Sequence, residues 1–163
     1  MAENDNDVID LIDVLPQEVL RVCLFNMGEE EYAIPVETLA EIITFQKIFP
    51  VPTTPSHVLG VINLRGNIIP IVDIRPILGL PAQSDPQQIA ILKLGLLVIG
   101  FVVDNVSEVV SVPLKAVLPM PPNPEGQEEN EARGRFLMSI IQREGDAVAL
   151  LDVEKILQEI KLE

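Results

Sequence analysis

The residue types that most often carry chemistry in proteins are sparse in this sequence. His57 is its single histidine, and a zinc site built on it needs cysteine, histidine or carboxylate partners at ligand spacing. Its neighbours in the segment TTPSHVLG are hydroxyl residues, prolines and apolar residues instead. The sequence therefore favours a surface or loop position for His57 and predicts no metal site.

Motifs for nucleophilic catalysis and phosphate binding are absent as well. The one cysteine, Cys23, lies in the apolar run VLRVCLFNM, where thiols are usually inert core residues. No serine occupies a Gly-x-Ser-x-Gly elbow, and the common glycine-rich phosphate loops are missing. A Ser–His–acid triad stays open, because its members need not be close in sequence.

Carboxylates are plentiful, and paired carboxylates can act as general acid and base. Those next to predicted strands are Glu41, Asp73, Asp104 and Asp152. Acidic residues at such positions more often belong to turns and helix caps than to catalytic sites. An enzyme is therefore the less favoured alternative, and we predict no cofactor.

Charge and composition exclude several classes of partner. The 163 residues carry a net charge of −14, from 25 acidic against 11 basic residues, so neither nucleic acid nor an anionic membrane surface is a predicted partner. A single cysteine fits a reducing compartment. The start, MAENDNDVID, has no basic region or long apolar run, and no apolar stretch is long enough to span a bilayer. A soluble, cytoplasmic protein is expected.

Short β-rich runs separated by turn residues dominate the chain, which is typical of an all-β barrel or sandwich. Two hairpins have strong turn signals, at Gly28-Glu29-Glu30 and at Arg65-Gly66-Asn67. Ile74–Leu78 is predicted as a short helix capped by Asp73, and Asp152–Leu162 as a terminal amphipathic helix. The predicted strands are Val19–Met27, Glu31–Pro35, Ala40–Phe45, Val58–Leu64, Ile68–Val72, Gln88–Leu94, Leu96–Val103, Val106–Val112, Arg135–Gln142 and Ala147–Leu151.

Three further segments are predicted to lie outside regular structure. Residues 1–17 form an acidic extension that we expect to be flexible, Pro81–Gln87 is a linker, and Pro119–Gly134 is a polar surface loop. Residues 18–163 are expected to form one domain. Nearly continuous apolar strands such as Val98–Val103 indicate burial on both faces, so two sheets or barrels are predicted to pack on each other.

Four stretches of the sequence resemble the CheW-like domain. They are GEEEYAIPVETLAEI, HVLGVINLRGNIIPIVDIRPILGL, LVIGFVVDNVSEVVSVP and AVALLDVEKIL, and the second is the most specific. The resemblance implies an all-β fold of two intertwined five-stranded SH3-like barrels with a C-terminal helix. It also implies a non-enzymatic chemotaxis adaptor that binds a CheA-like histidine kinase regulatory domain and the cytoplasmic tip of a methyl-accepting receptor.

The same resemblance suggests residues for each partner. Arg65 and Glu41 match a family pair expected beside the receptor-binding groove, and Leu39, Gly60 and Gly100 match other receptor-binding positions. Each has a structural alternative, since Leu39 could be a core residue and both glycines could serve a bulge or close packing. Kinase-binding candidates are Phe45, Val51 and Ile68, although exposed and buried apolar residues look alike in a sequence.

Two alternatives remain at this point. One is a homologous adaptor of a twitching-motility or other chemosensory-like pathway. The other is a small-molecule-binding or enzymatic β-barrel protein, which would need convergent polar groups in a pocket between the barrels. As an adaptor, the protein is expected in the cytoplasm, recruited to membrane receptor arrays without direct membrane insertion.

Overall fold

The computed structural model describes residues 18–80, 86–120 and 134–160. Single 3-10 turns lie at Val36–Thr38 and Leu114–Ala116. The strands and the C-terminal helix are β1 (Val19–Met27), β2 (Glu30–Pro35), β3 (Leu39–Thr44), β4 (Val58–Leu64), β5 (Asn67–Val72), β6 (Gln88–Leu94), β7 (Leu97–Val103), β8 (Asn105–Pro113), β9 (Val117–Pro119), β10 (Leu137–Arg143), β11 (Asp146–Leu151) and α1 (Val153–Ile160).

Two sheets exchange hairpins between the halves of the chain. The six-stranded sheet has the order β8-β1-β2-β11-β10-β9, and the five-stranded sheet has the order β3-β6-β7-β5-β4. The first hairpin, β1–β2, thus joins strands from the second half, while β6–β7 joins strands from the first half. This confirms the all-β, intertwined prediction, with the short β9 making one sheet six-stranded. The closure of each sheet into an SH3-like barrel stays a prediction.

Alternation along the strands supplies a separate apolar core to each sheet and a third core between them. The inner face of the six-stranded sheet buries a cluster around Leu24 and Ile141, and the five-stranded sheet buries one around Ile62 and Ile71. The core shared by both sheets contains Phe25, Tyr32, Phe101, Cys23 and the buried face of α1. Burying apolar area of this kind is the main favourable term in folding.

The predicted C-terminal helix is present over Val153–Ile160, and the last residues of its predicted range, to Leu162, lie outside the described part of the chain. Asp152 caps it, because the backbone N–H of Lys155 donates to Asp152 Oδ1 at 3.2 Å. Val153, Ile156 and Ile160 are buried against the shared core, with Leu157 packed beside them. Cys23 is also a core residue, 1% exposed, and burial raises the pKa of its thiol.

The helix predicted over Ile74–Leu78 is wrong. The segment after β5 is an irregular turn, in which the Leu78 N–H reaches both Ile74 O and Arg75 O at 3.1 Å. Asp73 Oδ1 does accept a hydrogen bond from the backbone N–H of Arg75 at 3.0 Å, as a cap would. The same carboxylate, however, also binds the Arg75 side chain. Local pattern favoured a helix, and this chelate together with Pro76 holds the chain in a turn instead.

An internal structural repeat relates the β4–β5 and β10–β11 hairpins. Each has a register shift near its start, between Val58 and Gly60 and between Leu137 and Ser139. In both, the residue after the second strand donates its N–H back across the hairpin at 2.8 Å, Asp73 to His57 O and Asp152 to Phe136 O. Gly60 and Ser139 therefore occupy equivalent positions.

Candidate partner-binding surfaces

An exposed ion pair joins the two edges of the five-stranded sheet. Arg65 Nη2 binds Glu41 Oε1, with the side chains 68% and 34% exposed. Glu41 lies on β3, the first strand of that sheet, and Arg65 lies in the turn that follows β4, the last. Side chains from the two edges of the sheet therefore meet at this pair. The structure brings together the two residues whose pairing the sequence suggested.

The turn that carries Arg65 has an unusual backbone conformation. Arg65 and Gly66 have φ values of 51° and 86°, and positive φ at both central residues is typical of a tight type I′ hairpin. Asn63 Oδ1 accepts the Gly66 N–H at 2.9 Å, which holds the turn from the preceding strand. The Arg65 side chain is thereby placed at the tip of the hairpin.

The other receptor-binding candidates are less accessible than this pair. Leu39 is half-buried at the start of β3 and packs against the shared core. Gly60 on β4 and Gly100 on β7 are both buried. A Cβ added at Gly100 would lie 2.5 Å from Ile71 Cδ1 and 2.9 Å from Ile89 Cγ2, so this glycine makes room for core side chains. Neither glycine offers surface to a partner.

The kinase-binding candidates are exposed on two segments that flank β4, residues 45–51 and β5. Phe45 is 37%, Val51 39% and Ile68 64% exposed. Residues 45–51 run beside β4, where Phe49 and Val61 exchange two backbone hydrogen bonds of 2.9 Å, and β5 lies on the other side of β4. Exposed apolar side chains concentrated in this way mark interaction sites more often than scattered ones do.

Phe49 belongs to this set, although the sequence analysis gave it no role. It is 53% exposed, and Lys47 Nζ lies 5.3 Å from the centroid of its ring. The only signal in the sequence was its position directly before Pro50, which disfavours a helix there. We call Phe45, Phe49, Val51 and Ile68 the apolar end surface.

A buried charge cluster supports the sheets where they cross. Arg75 binds Asp73 with two parallel contacts, Nε–Oδ1 at 2.9 Å and Nη2–Oδ2 at 2.8 Å, and its Nη1 lies 4.0 Å from Asp104 Oδ1. Asp73 and Arg75 are 7% and 8% exposed. The hydrogen bonds that Asp73 accepts raise the pKa of Arg75, against the opposing effect of burial.

Asp104 extends this cluster to the six-stranded sheet. Its Oδ2 accepts the Gly28 N–H at 2.6 Å, and its own N–H donates to Asn26 O at 3.0 Å. Gly28 lies in the β1–β2 turn. The charge cluster of the five-stranded sheet is therefore hydrogen-bonded to the β1–β2 hairpin of the six-stranded sheet. Sequence reasoning assigned Asp73 and Asp104 to caps and turns and missed Arg75; the Asp-x-Arg spacing directly after a buried strand was the available signal.

Comparison with known proteins settles the family. The family model for the CheW-like domain matches residues 21–161. The chain belongs to the CheW-like family. The chemotaxis protein CheW of Helicobacter pylori is 32% identical over 87% of this chain and 84% of its own length. The protein FrzA of Myxococcus xanthus is 28% identical over 82% of each.

A solved structure agrees with the fold of this CheW-like chain. The scaffolding protein TtCheW from Thermoanaerobacter tengcongensis superposes with a TM-score of 0.71 at 25% identity, over 82% of this chain and 89% of that one. The predicted function is confirmed at this level: the chain is a chemotaxis-type signal-transduction adaptor.

Two surface depressions of the CheW-like chain lie on the six-stranded sheet rather than between the sheets. Both are bordered by Glu31 and Asp146, and one also by Arg143 and Lys115. The contact region between the sheets is instead filled by aliphatic and aromatic side chains. In residues 18–80, 86–120 and 134–160, no three histidine, cysteine or carboxylate side chains are grouped to hold a metal ion.

In the part of the chain that the structure describes, no helix is long and apolar enough to cross a bilayer.

Proposed function

We propose that this CheW-like chain couples a methyl-accepting receptor to a CheA-like histidine kinase by binding both at once, without a chemical step or a cofactor. The observation that carries the proposal is the presence of two different surfaces on one sheet, the exposed Glu41–Arg65 pair and the apolar end surface. A protein with two such surfaces can hold two partners in a fixed relation. A small receptor change can then bias a kinase equilibrium.

The Glu41–Arg65 pair is proposed to contact the receptor tip. An arginine fork can hold one carboxylate and still offer donors to a second acceptor. Glu41 orients the guanidinium, and the type I′ turn places it beyond the strands. Leu39 is proposed to contribute apolar contact beside the pair, since it precedes Glu41 by two residues and is half-buried.

The apolar end surface is proposed to bind the regulatory domain of the kinase. Aromatic and aliphatic anchors surrounded by polar groups are typical of the centre of a protein–protein interface. Lys47 and Gln46 are the polar neighbours here, and Gln46 Nε2 reaches Asn63 O at 3.5 Å. The proposed location of the protein is the cytoplasm, where these contacts would recruit it to membrane receptor arrays.

The direct test is calorimetric titration of the full chain with two partners in turn. These are the regulatory domain of the kinase encoded nearest to it and a receptor cytoplasmic fragment in soluble form. Micromolar or tighter one-to-one binding of each, and a ternary complex when both are present, is expected. Binding of neither partner would refute the coupling function.

Arg65→Ala is predicted to weaken receptor binding by about tenfold or more. The free energy of unfolding should change by less than about 1 kcal/mol, because exposed ion pairs contribute little stability. Kinase affinity should stay within about twofold. Receptor titration and urea unfolding measure these quantities, with Arg21→Ala, an exposed arginine on β1, as the matched control.

The charge-reversed double variant Glu41→Arg/Arg65→Glu separates recognition from local structure. The double variant restores the ion pair with the arginine at position 41 and the glutamate at position 65. If the receptor recognises the arginine at position 65, receptor binding stays weak in this variant. Recovery of receptor affinity in the double variant, or parallel loss of both partners in Arg65→Ala, would contradict the proposed role.

Ile68→Asp is predicted to weaken kinase binding by about tenfold or more while receptor binding stays within about twofold. Ile68 is the most exposed member of the apolar end surface, so the aspartate faces solvent in the free protein and is desolvated only in the complex. Val19→Asp, at a position 50% exposed on the other sheet, serves as the control. Equal losses from the two variants would argue against a local kinase site.

The adaptor function fits a chemotaxis pathway and also a twitching-motility or other chemosensory-like pathway. The FrzA relative fits the alternative of a chemosensory-like pathway with a different output. The domain works in the same way in either case, and the identity of the kinase that binds decides between them.

A further inference from the structure

Gly60 lies at a point where two backbone segments approach more closely than a side chain allows. It is buried on β4 with φ +146°, a conformation that L-residues rarely adopt. A Cβ at this position would lie 2.2 Å from Phe49 O, 2.7 Å from Phe49 C and 2.9 Å from Pro50 Cα. These are all backbone atoms, so no side-chain rotation can relieve the collision.

The segment that Gly60 faces is itself held to β4. Phe49 N donates to Val61 O and Val61 N donates to Phe49 O, both at 2.9 Å. Val61 directs both its N–H and its C=O toward Phe49, so its pair with Pro70 on β5 is a non-hydrogen-bonded one. The pairing of Phe49 with Val61 brings Pro50 opposite Gly60, so a side chain at residue 60 must push Phe49 and Pro50 away from the strand.

The internal repeat shows that the bulge alone does not require glycine. In the second half of the chain, Ser139 occupies the position equivalent to Gly60. Ser139 pairs with Pro119, just as Gly60 faces Pro50. Ser139 is not among the described residues with positive φ. The need for glycine is therefore specific to the first half, where the neighbouring segment carries three residues of the apolar end surface.

We infer that Gly60 is a positioning residue for the kinase-binding surface: it lets the Phe49–Val51 backbone lie directly against β4. Resting on the proposed function, this reassigns Gly60 from the receptor-binding set to the kinase-binding side. Gly100, the other glycine of that set, differs because its neighbours are the ends of isoleucine side chains, which can adjust within the core.

The test is Gly60→Ala in the full chain, with kinase and receptor titrated separately and amide hydrogen exchange followed by NMR. We expect kinase affinity to fall by about tenfold or more and receptor affinity to stay within about twofold. The amides of Phe49 and Val61 should lose protection, while Ile141 in the other sheet keeps its own. Gly100→Ala is the control and should lower stability without a selective loss of kinase binding.

A second variant keeps the inference testable if Gly60→Ala does not fold. Pro50→Gly/Pro52→Gly loosens the same exposed segment without altering β4, and should weaken kinase binding selectively by roughly threefold or more. Selective loss of receptor binding, or unchanged kinase binding, in the folded variants would overturn the inference. If the wild-type chain bound neither partner, the coupling function would be refuted, and exchange at Phe49 and Val61 would still decide whether Gly60 holds the segment.

Discussion

Arg75→Met is expected to lower the free energy of unfolding by about 3–5 kcal/mol, because it leaves the buried Asp73 carboxylate without its cation. Asp73 is 7% exposed, and its two oxygens are both bound by the guanidinium. Methionine fills much of the arginine stem volume, so the loss reports the uncompensated charge rather than a cavity. Urea or guanidinium unfolding with a full denaturant series measures it.

Arg143→Met is the matched control for this prediction. Arg143 binds Glu108 at 3.2 Å, but the side chains are 33% and 53% exposed, and such pairs are worth about 1 kcal/mol or less. Adding Asp73→Asn to Arg75→Met should recover part of the loss, since it removes one unpaired charge. Equal effects of the two arginine substitutions would mean that the Arg75 cluster is solvated and does not join the sheets.

Phe101→Ala is the second change with a large expected effect, about 3–5 kcal/mol of stability. Phe101 lies on β7, the central strand of the five-stranded sheet, and is 1% exposed in the core that both sheets share. Its removal costs the transfer free energy of the ring and leaves a cavity that the two sheets can close only by shifting together. Denaturant unfolding of the wild type and the variant measures the difference.

Phe49→Ala removes the same atoms from the protein surface. Phe49 is 53% exposed, so its loss should change stability by about 0.5 kcal/mol or less. The same substitution should weaken kinase binding if the apolar end surface is the kinase site. A Phe101 variant as stable as the Phe49 variant would show that the shared core does not hold the sheets together.

Local features of the fold were predictable because they depend on neighbours in sequence. The hairpin turn at Arg65-Gly66 follows from a glycine between two apolar runs, and α1 follows from its cap and apolar face. The helix predicted after Asp73 failed partly for a local reason, the Asp73–Arg75 chelate beside Pro76, and partly for a non-local one. Arg75 is needed there to pair with Asp73 and Asp104, and the burial of that charge depends on how the sheets cross.

The candidate site was predictable only in part for the same reason. The pairing of Glu41 with Arg65 followed from the family resemblance, and the structure shows the two in contact. Gly60 and Gly100 were placed with the receptor-binding residues, yet the atoms that surround them come from residues distant in sequence, among them Phe49, Ile71 and Ile89. Phe49 was missed because exposure cannot be distinguished from burial in a run of apolar residues.

The exchange of hairpins between the halves sets a constraint on synthesis at the ribosome. The β1–β2 hairpin is translated before both of its neighbours, β8, which ends at Pro113, and β11, which begins at Asp146. Both edges of the nascent hairpin therefore stay unpaired until these later strands have been translated. Unpaired strand edges are prone to aggregation. The nascent chain thus has a long interval in which a holding chaperone would improve its yield.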